Sequence, residues 1–280
     1  MIRLIATDLD GTLLTWSATT PPRSISPRTH AALEAAREAG VLVVPVSGRQ
    51  PFSIAHGVRG TYLAEGPVIG ANGAIGVHLG SGQVFFERLV DADAQFALFA
   101  GLRTLFSDVR CVSVRDGGNA FYPQHGYVGL MDPGDHGRHE PLPEFDLDDV
   151  LAEPSVKFVV RHPSVSPREL LDAARSLAIP GVHCLTSGTP FLEVSAEGVH
   201  KGSGLATLCA HLGVEASEVV ALGDELNDVE MLRWAGVGVA MANASPEAIA
   251  AADERTASND DDGVALVIER LLADQDSGGA

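Results

Sequence analysis

Positive charge is scarce in this sequence: 19 lysines and arginines stand against 37 aspartates and glutamates in 280 residues, a formal net charge of −18. Such a chain repels phosphate backbones and anionic lipid surfaces, which argues against nucleic acid and membranes as partners. A net acidic protein still binds a phosphate ester where a divalent cation and a few local donors reverse the field inside one cleft. Cysteine is also sparse. Cys111, Cys184 and Cys209 form neither an even disulfide set nor a Cys-x-x-Cys pair, so a reducing cytoplasmic setting is expected. Long apolar runs are missing, since no stretch approaches the ~18–20 residues that span a bilayer. The opening Met1-Ile2-Arg3-Leu4-Ile5-Ala6-Thr7-Asp8 meets an acid too early for a secretory signal. What is present, 45% apolar and 20% charged residues, is ordinary globular composition and rules out wholesale disorder.

The apolar pattern predicts an α/β fold. Ile2 to Ala6 and Val41 to Val46 read as strands buried on both faces, with a third short strand at Val68-Ile69-Gly70. Between the first two, Ser26-Pro27 reads as a helix start and Gly40 as its close; a second helix is expected from near Gln50. After Asn72 the texture changes. Gly80-Ser81-Gly82 and Asp116-Gly117-Gly118-Asn119 mark hairpins, and helices are predicted over Ala92 to Phe106 and Pro167 to Ala178. The first carries a stripe of Phe96, Leu98, Phe99, Leu102 and Phe106, expected to be helix core. The second opens on Ser166-Pro167-Arg168-Glu169, a capping box. Gly129 to Pro154 reads as one long loop. The α/β rhythm resumes with a helix over Lys201 to Leu212, a strand at Val219 to Leu222, a helix over Asp228 to Trp234, a strand at Val237 to Ala240 and two short helices; a fraying tail is expected from Asp274. The expected division is a discontinuous core, 1–74 and 196–280, carrying an α+β insert at 75–195.

Four clusters carry chemistry. Asp8-Leu9-Asp10-Gly11-Thr12 follows the first strand, so its two carboxylates emerge at the sheet edge where open parallel sheets bind ligands. Two close carboxylates repel unless a cation lies between them, which suits an oxygen-ligated Mg²⁺ with a nucleophile and a general acid. On its own the motif reads equally well as a solvated turn. Gly223-Asp224-Glu225-Leu226-Asn227-Asp228 ends another strand, where helix capping is the simpler account of any one acid. Two acid clusters at two strand ends favour a hard-cation site. Ser47-Gly48-Arg49 supplies a hydroxyl, a small residue and fresh helix N–H groups for a phosphoryl oxygen, though such a tripeptide is usually just a turn. Lys201 opens a helix, against the dipole, which suggests an anionic partner as readily as a solvated lysine.

The order of these motifs, with Asn72-Gly73-Ala74, Ala240-Met241-Ala242-Asn243-Ala244 and Asp262-Gly263-Val264-Ala265, resembles the haloacid dehalogenase superfamily of phosphatases, in the Cof-type subgroup with a C2-type cap. The resemblance spans nearly the whole chain and implies a Rossmann-like parallel-sheet core with an inserted α+β cap domain. It makes Asp8 the nucleophile, forming an aspartyl-phosphate, and Asp10 the general acid and later base. It assigns Mg²⁺ to Asp8, the Asp10 carbonyl and Asp224, with Asp228 in or beside that set. The phosphate falls to Ser47, Gly48, Lys201, Asn227 and the Leu9 N–H. Glu225 departs from the family, which more often has a small or neutral residue there. The implied activity is hydrolysis of small phosphorylated metabolites, sugar phosphates foremost, by a cytoplasmic monomer or homodimer; a phosphomutase and a non-hydrolytic phospho-aspartate sensor are the alternatives. The presumed cap places specificity in the polar loop from His125 to His139, with His125, His136 and Arg138 as candidates. Glycines near Gly73 and Gly198 are the expected hinges.

Overall fold

The computed structural model describes residues 1–16, 23–132, 135–138, 141–187 and 189–278, with side chains described as far as 275. Strand β1 (Leu4–Thr7), helix α1 (Pro27–Glu38), β2 (Leu42–Pro45), α2 (Pro51–Gly57) and β3 (Pro67–Gly70) start the chain. Ser26 accepts from the Thr29 N–H and Pro27 sets the first helical turn, so α1 begins where the sequence places it. β3 then turns back into a hairpin, β4 (Ile75–His78) and β5 (Gln83–Glu87).

The middle of the chain contributes α3 (Ala92–Leu105), β6 (Arg110–Arg115), β7 (Ala120–Pro123), α4 (Leu147–Leu151), β8 (Lys157–Arg161), α5 (Pro167–Leu177), β9 (Val182–Leu185) and β10 (Leu192–Ala196). The chain then continues through α6 (Lys201–Leu212), β11 (Val219–Gly223), α7 (Val229–Trp234), β12 (Val237–Ala240), α8 (Pro246–Ala251), β13 (Glu254–Arg255) and α9 (Gly263–Gly278).

Both chain ends build one parallel sheet, in the order β13-β12-β11-β1-β2, and a Val46–Ile69 bridge continues it to β3. Alternation splits β1 between two cores. Ile5 packs with Leu33 of α1 and Ile268 of α9, while Leu4 and Ala6 pack with Leu205 of α6 and Met231 of α7. With both faces covered, β1 has no polar side and its acids must follow it, at its carboxyl end.

The second sheet is antiparallel, ordered β7-β6-β8-β10-β9. One face takes α3, α4 and α5 through Leu98, Phe99, Leu102, Val150, Leu170 and Leu171, against Cys111, Phe158, Val160, Leu192 and Val194. The other face carries Val112, Val114, Phe121 and Val159, and it looks toward the carboxyl edge of the parallel sheet.

Several expectations are corrected. The hairpin around Gly80-Ser81-Gly82 forms, but hydrogen-bonds to β3 rather than to the second sheet, so the chain passes between the sheets after β5. At Gly73 a Cβ would lie 2.2 Å from the His200 carbonyl oxygen, so the residue allows close packing of two segments. Gly129 to Pro154 contains α4, whose Val150 and Leu151 plug the helix-side core. Phe96 is exposed, whereas its neighbours Leu98, Phe99 and Leu102 are buried. α9 is a 16-residue helix that runs past Asp274 to Gly278, longer than the short helix expected.

Candidate active site

The acid clusters predicted at two strand ends meet. Asp8, after β1, and Asp224 and Asp228, after β11, bring one carboxylate oxygen each within 4.8 Å of the others, and all three are buried. Lys201, 1% exposed at the start of α6, donates to Asp8 Oδ1 at 2.7 Å and to Asp228 Oδ1 at 2.6 Å. Asp228 Oδ2 accepts the Asp224 and Glu225 N–H groups, each at 3.0 Å. Asp228 thus ties the lysine to the β11 loop with both oxygens engaged. Thr12 Oγ1 donates to Asp224 Oδ1 at 2.8 Å, and Asn243 Nδ2 to the Gly11 carbonyl at 2.8 Å. Gly11 has φ +86° and a Cβ there would stand 2.3 Å from Asp224 Oδ2, so only glycine lets the two loops close on each other.

One ammonium faces three buried carboxylates, and the proton affinities reflect the shortage. Burial pushes the Asp8 carboxyl well above its usual range; Asp228, Asp224 and Asp10 add to this while Lys201 opposes it. Burial, with Asp228 next, pushes Asp224 up to about 7. Burial alone would lower Lys201, but Asp228 and Asp8 hold its ammonium above the ordinary range. Crowded oxygen donors with excess negative charge fit a hard divalent cation.

A cavity of about 570 Å³ opens from these acids toward the second sheet. Asp8, Asp10, Ser47, Gly48, Asp224, Glu225 and Asn227 all line it, so the four motifs converge. Ser47 Oγ accepts from the Arg49 N–H at 3.2 Å, and Asn227 Nδ2 donates to Asn72 Oδ1 at 2.9 Å. Leu9 is wholly buried, its side chain in the core beneath the loop.

Sequence reasoning left several groups without a role. Arg49 grips Asp10 with two hydrogen bonds, Nε to Oδ2 at 2.6 Å and Nη2 to Oδ1 at 2.5 Å. Thr12, Asn72 and Asn243 stood in the quoted motifs but only the fold reveals their partners. Lys157 and Glu193 form a buried ion pair on the cavity wall, and neither was singled out in the sequence, where each is a charged residue beside apolar strand residues.

The loop candidates fare unequally. His136 lines the cavity, stacked on Phe191. His125 does not reach it: the ring is exposed between Glu144 and Asp146. Arg138 is also turned away, with Nη2 donating to the Gly118 and Asn119 carbonyls and the guanidinium held over Phe52 and Phe121. His139 lies outside the described residues.

Comparison with known proteins agrees with this geometry. The family model for haloacid dehalogenase-like hydrolases matches residues 5–268. The phosphatase YwpJ of Bacillus subtilis is 28% identical over 296 residues, covering 97% of this chain and 100% of that one. The 5-amino-6-(5-phospho-D-ribitylamino)uracil phosphatase YbjI of Escherichia coli is 30% identical over 276 residues, covering 97% and 96%. A phosphatase of the haloalkanoate superfamily from Bacteroides thetaiotaomicron superposes with a TM-score of 0.79 at 25% identity, covering 96% of this chain and 95% of its own.

Proposed function

Because the chain belongs to the haloacid dehalogenase-like hydrolases, among their Cof-type phosphatases, we propose that it hydrolyses small phosphorylated metabolites, sugar phosphates foremost, with Mg²⁺ and through a phosphoryl group carried on Asp8. The observation that carries this reading is Asp8 itself: a buried carboxylate on the cavity floor, held through Oδ1 by Lys201 at 2.7 Å. Oδ2 is then the oxygen that attacks phosphorus while the bond from phosphorus to the alcohol oxygen breaks. Asp10, once released from the Arg49 fork that occupies both its oxygens here and protonated, gives its proton to that oxygen and later takes one from the water that attacks phosphorus, releasing inorganic phosphate and restoring Asp8. Ser47, the Gly48 loop, Asn227 and Lys201 position the phosphoryl oxygens. Asp8, Asp224 and the Asp10 carbonyl would hold Mg²⁺, with Asp228 fixing Lys201 behind them. The ion supplies, when bound, neutralisation of the charge on the transferring group. The second sheet acts as the cap that covers the cavity. Three free, buried cysteines support a reducing cytoplasmic setting.

Phosphate release from p-nitrophenyl phosphate and from a panel of phosphorylated metabolites tests the reading. Turnover is expected with Mg²⁺, lost in excess chelator, and absent from Asp8→Asn, whose amide keeps the shape but is no nucleophile. Full turnover in chelator, or by Asp8→Asn, overturns it. Released phosphate also separates a hydrolase from a mutase, which returns the group to a substrate, and from a sensor, which retains it.

A further inference from the structure

Helix α6 begins at Lys201, so whatever fixes its first turn also fixes the lysine on the acid cluster. The residue that caps this turn is a histidine. His200 is extended, at φ −153° and ψ 170°, and its Nδ1 accepts the Ser203 N–H at 3.2 Å. Ser203 reciprocates, its Oγ accepting the His200 N–H at 3.0 Å. Helix caps are ordinarily Ser, Thr, Asp or Asn, none of which changes charge between about pH 5 and 8. An imidazole does. The bond to Ser203 fixes the tautomer. With its lone pair turned to a backbone N–H, Nδ1 carries no proton, so the ring is neutral and Nε2 bears the hydrogen.

A second proton on this ring removes the cap. Imidazolium has an N–H at both nitrogens and no acceptor, so its Nδ1–H would face the Ser203 N–H. The surroundings oppose the added charge. α6 has no acid in its first turn, and Lys201 already stands at the positive end of the helix dipole. His200 and Lys201 also line a second, smaller cavity of about 80 Å³. Arg175 of α5 and His183 of β9 face it from the second sheet and its helices, and Glu230 of α7 is the one acid among its described lining residues. The His183 and His200 ring centroids are 6.2 Å apart. Burial lowers the proton affinity of His183; Glu230 opposes this, while His200 and Arg175 add to it. Positive charge is thus disfavoured where the two histidines meet.

We propose that His200 is a positioning residue for Lys201: as a neutral imidazole it caps α6 and sets the lysine on Asp8 and Asp228, and its protonation uncaps the helix and loosens that hold. The proposal rests on the phosphatase reading above, in which Lys201 positions the phosphoryl oxygens. Activity then falls on acidification through a residue that touches neither substrate nor metal.

The test compares the intact protein with His200→Asn and His200→Ala, using p-nitrophenyl phosphate and Mg²⁺ across the range of about pH 8 to 5 in which imidazoles titrate. Asparagine keeps an acceptor at the cap and does not titrate, whereas alanine has none. At the alkaline end His200→Asn should match the parent, and His200→Ala should lose roughly fivefold in kcat, the factor that one helix cap is worth. Toward the acid end the ratio of His200→Asn to the parent should rise by a similar factor; the floor carboxylates titrate alike in both proteins and cancel. A second readout needs no turnover. Long-range ¹H–¹⁵N NMR spectra should show His200 as the neutral Nε2–H tautomer at the alkaline end. Exchange protection of the Ser203 amide should fall on acidification in the parent but not in His200→Asn. Parallel pH profiles of the parent and His200→Asn overturn the proposal, as does a His200→Ala protein as active as the parent at the alkaline end, or the Nδ1–H tautomer. No phosphate released by any of the three proteins sinks the phosphatase reading and the role of His200 in it, an outcome distinct from an altered profile because tautomer and amide protection still report the cap.

Discussion

Replacing Lys201 by methionine probes the charge arrangement most directly. Methionine keeps the unbranched stem but removes the ammonium that stands 2.7 Å from Asp8 and 2.6 Å from Asp228. Three buried carboxylates then share no cation. Breaking a buried pair from one side costs about 3–5 kcal/mol, because the orphaned charge stays out of water. Two acids are orphaned here, but Asp8, already raised by burial, relieves part of the strain by taking a proton. The expected loss is therefore about 4 kcal/mol. At roughly 2–4 °C per kcal/mol for a chain of this size, the thermal midpoint of the metal-free protein should fall by roughly 8–16 °C. The comparison that isolates the cause is Lys201→Met/Asp228→Asn. Asparagine still offers an oxygen to the Asp224 and Glu225 amides, each 3.0 Å away, while removing one orphaned charge. Urea and thermal unfolding should show the double variant more stable than the single one by about 1–2 kcal/mol. A single variant within about 1 kcal/mol of the parent, or a double variant weaker than the single, would refute the buried-charge account.

Asp10→Asn should slow alkyl phosphate hydrolysis by ~10²–10⁴-fold and aryl phosphate hydrolysis far less, since only a poor leaving group needs the proton; equal losses remove Asp10 from that role. Gly11→Ala forces a Cβ to within 2.3 Å of Asp224 Oδ2 at φ +86°. It should cost about 1–2 kcal/mol of stability from backbone strain and raise the Mg²⁺ concentration for half-maximal activity by roughly tenfold or more; an unchanged Mg²⁺ titration counts against Asp224 as a ligand. His136 has its proton affinity lowered by burial and then by Lys157, Arg161 and Arg138, so the unfolded chain binds the proton more readily than the folded one. Stability from this residue is therefore complete above the unfolded value of 6.5 and is lost as pH falls below it. Relative to His136→Phe, the parent should lose stability between pH 7 and 5.5, and parallel pH profiles of the two would exclude the effect.

The acid-lined cavity floor was legible because it sits where the chain has no choice. β1 and β11 are apolar on both faces, so polar residues can only follow them, and parallel strands end at one edge. Asp8, Ser47, Asp224 and Asn227 were found by that logic, and Lys201 by its awkward place at a helix start. Pairings across the fold were not legible. Arg49 stood in a quoted motif, yet its fork on Asp10 joins residues 39 apart, which no local pattern encodes. The β4–β5 hairpin was visible, but a hairpin signal says nothing of which sheet its outer edge will meet. The polar loop was legible only in part: His136 lines the cavity, while His125 and Arg138 do not. Density of histidine and arginine suggests ligands, whereas Arg138 uses its guanidinium on Phe52, Phe121 and two loop carbonyls.

Lys157 also links the two walls of the cavity. Its ammonium bonds Glu193 within the second sheet and the Gly48 carbonyl in the core, so one side chain spans both walls of the cavity. Near it the walls meet through Arg138 over Phe52 at 4.9 Å, and through Gly137, where a Cβ would stand 2.7 Å from Ser53 Oγ. One hydrogen bond and one cation–π contact are each worth about 1 kcal/mol, so the walls meet there through weak contacts. On the proposed mechanism these contacts would shield a phosphorylated Asp8 from water until the alcohol departs.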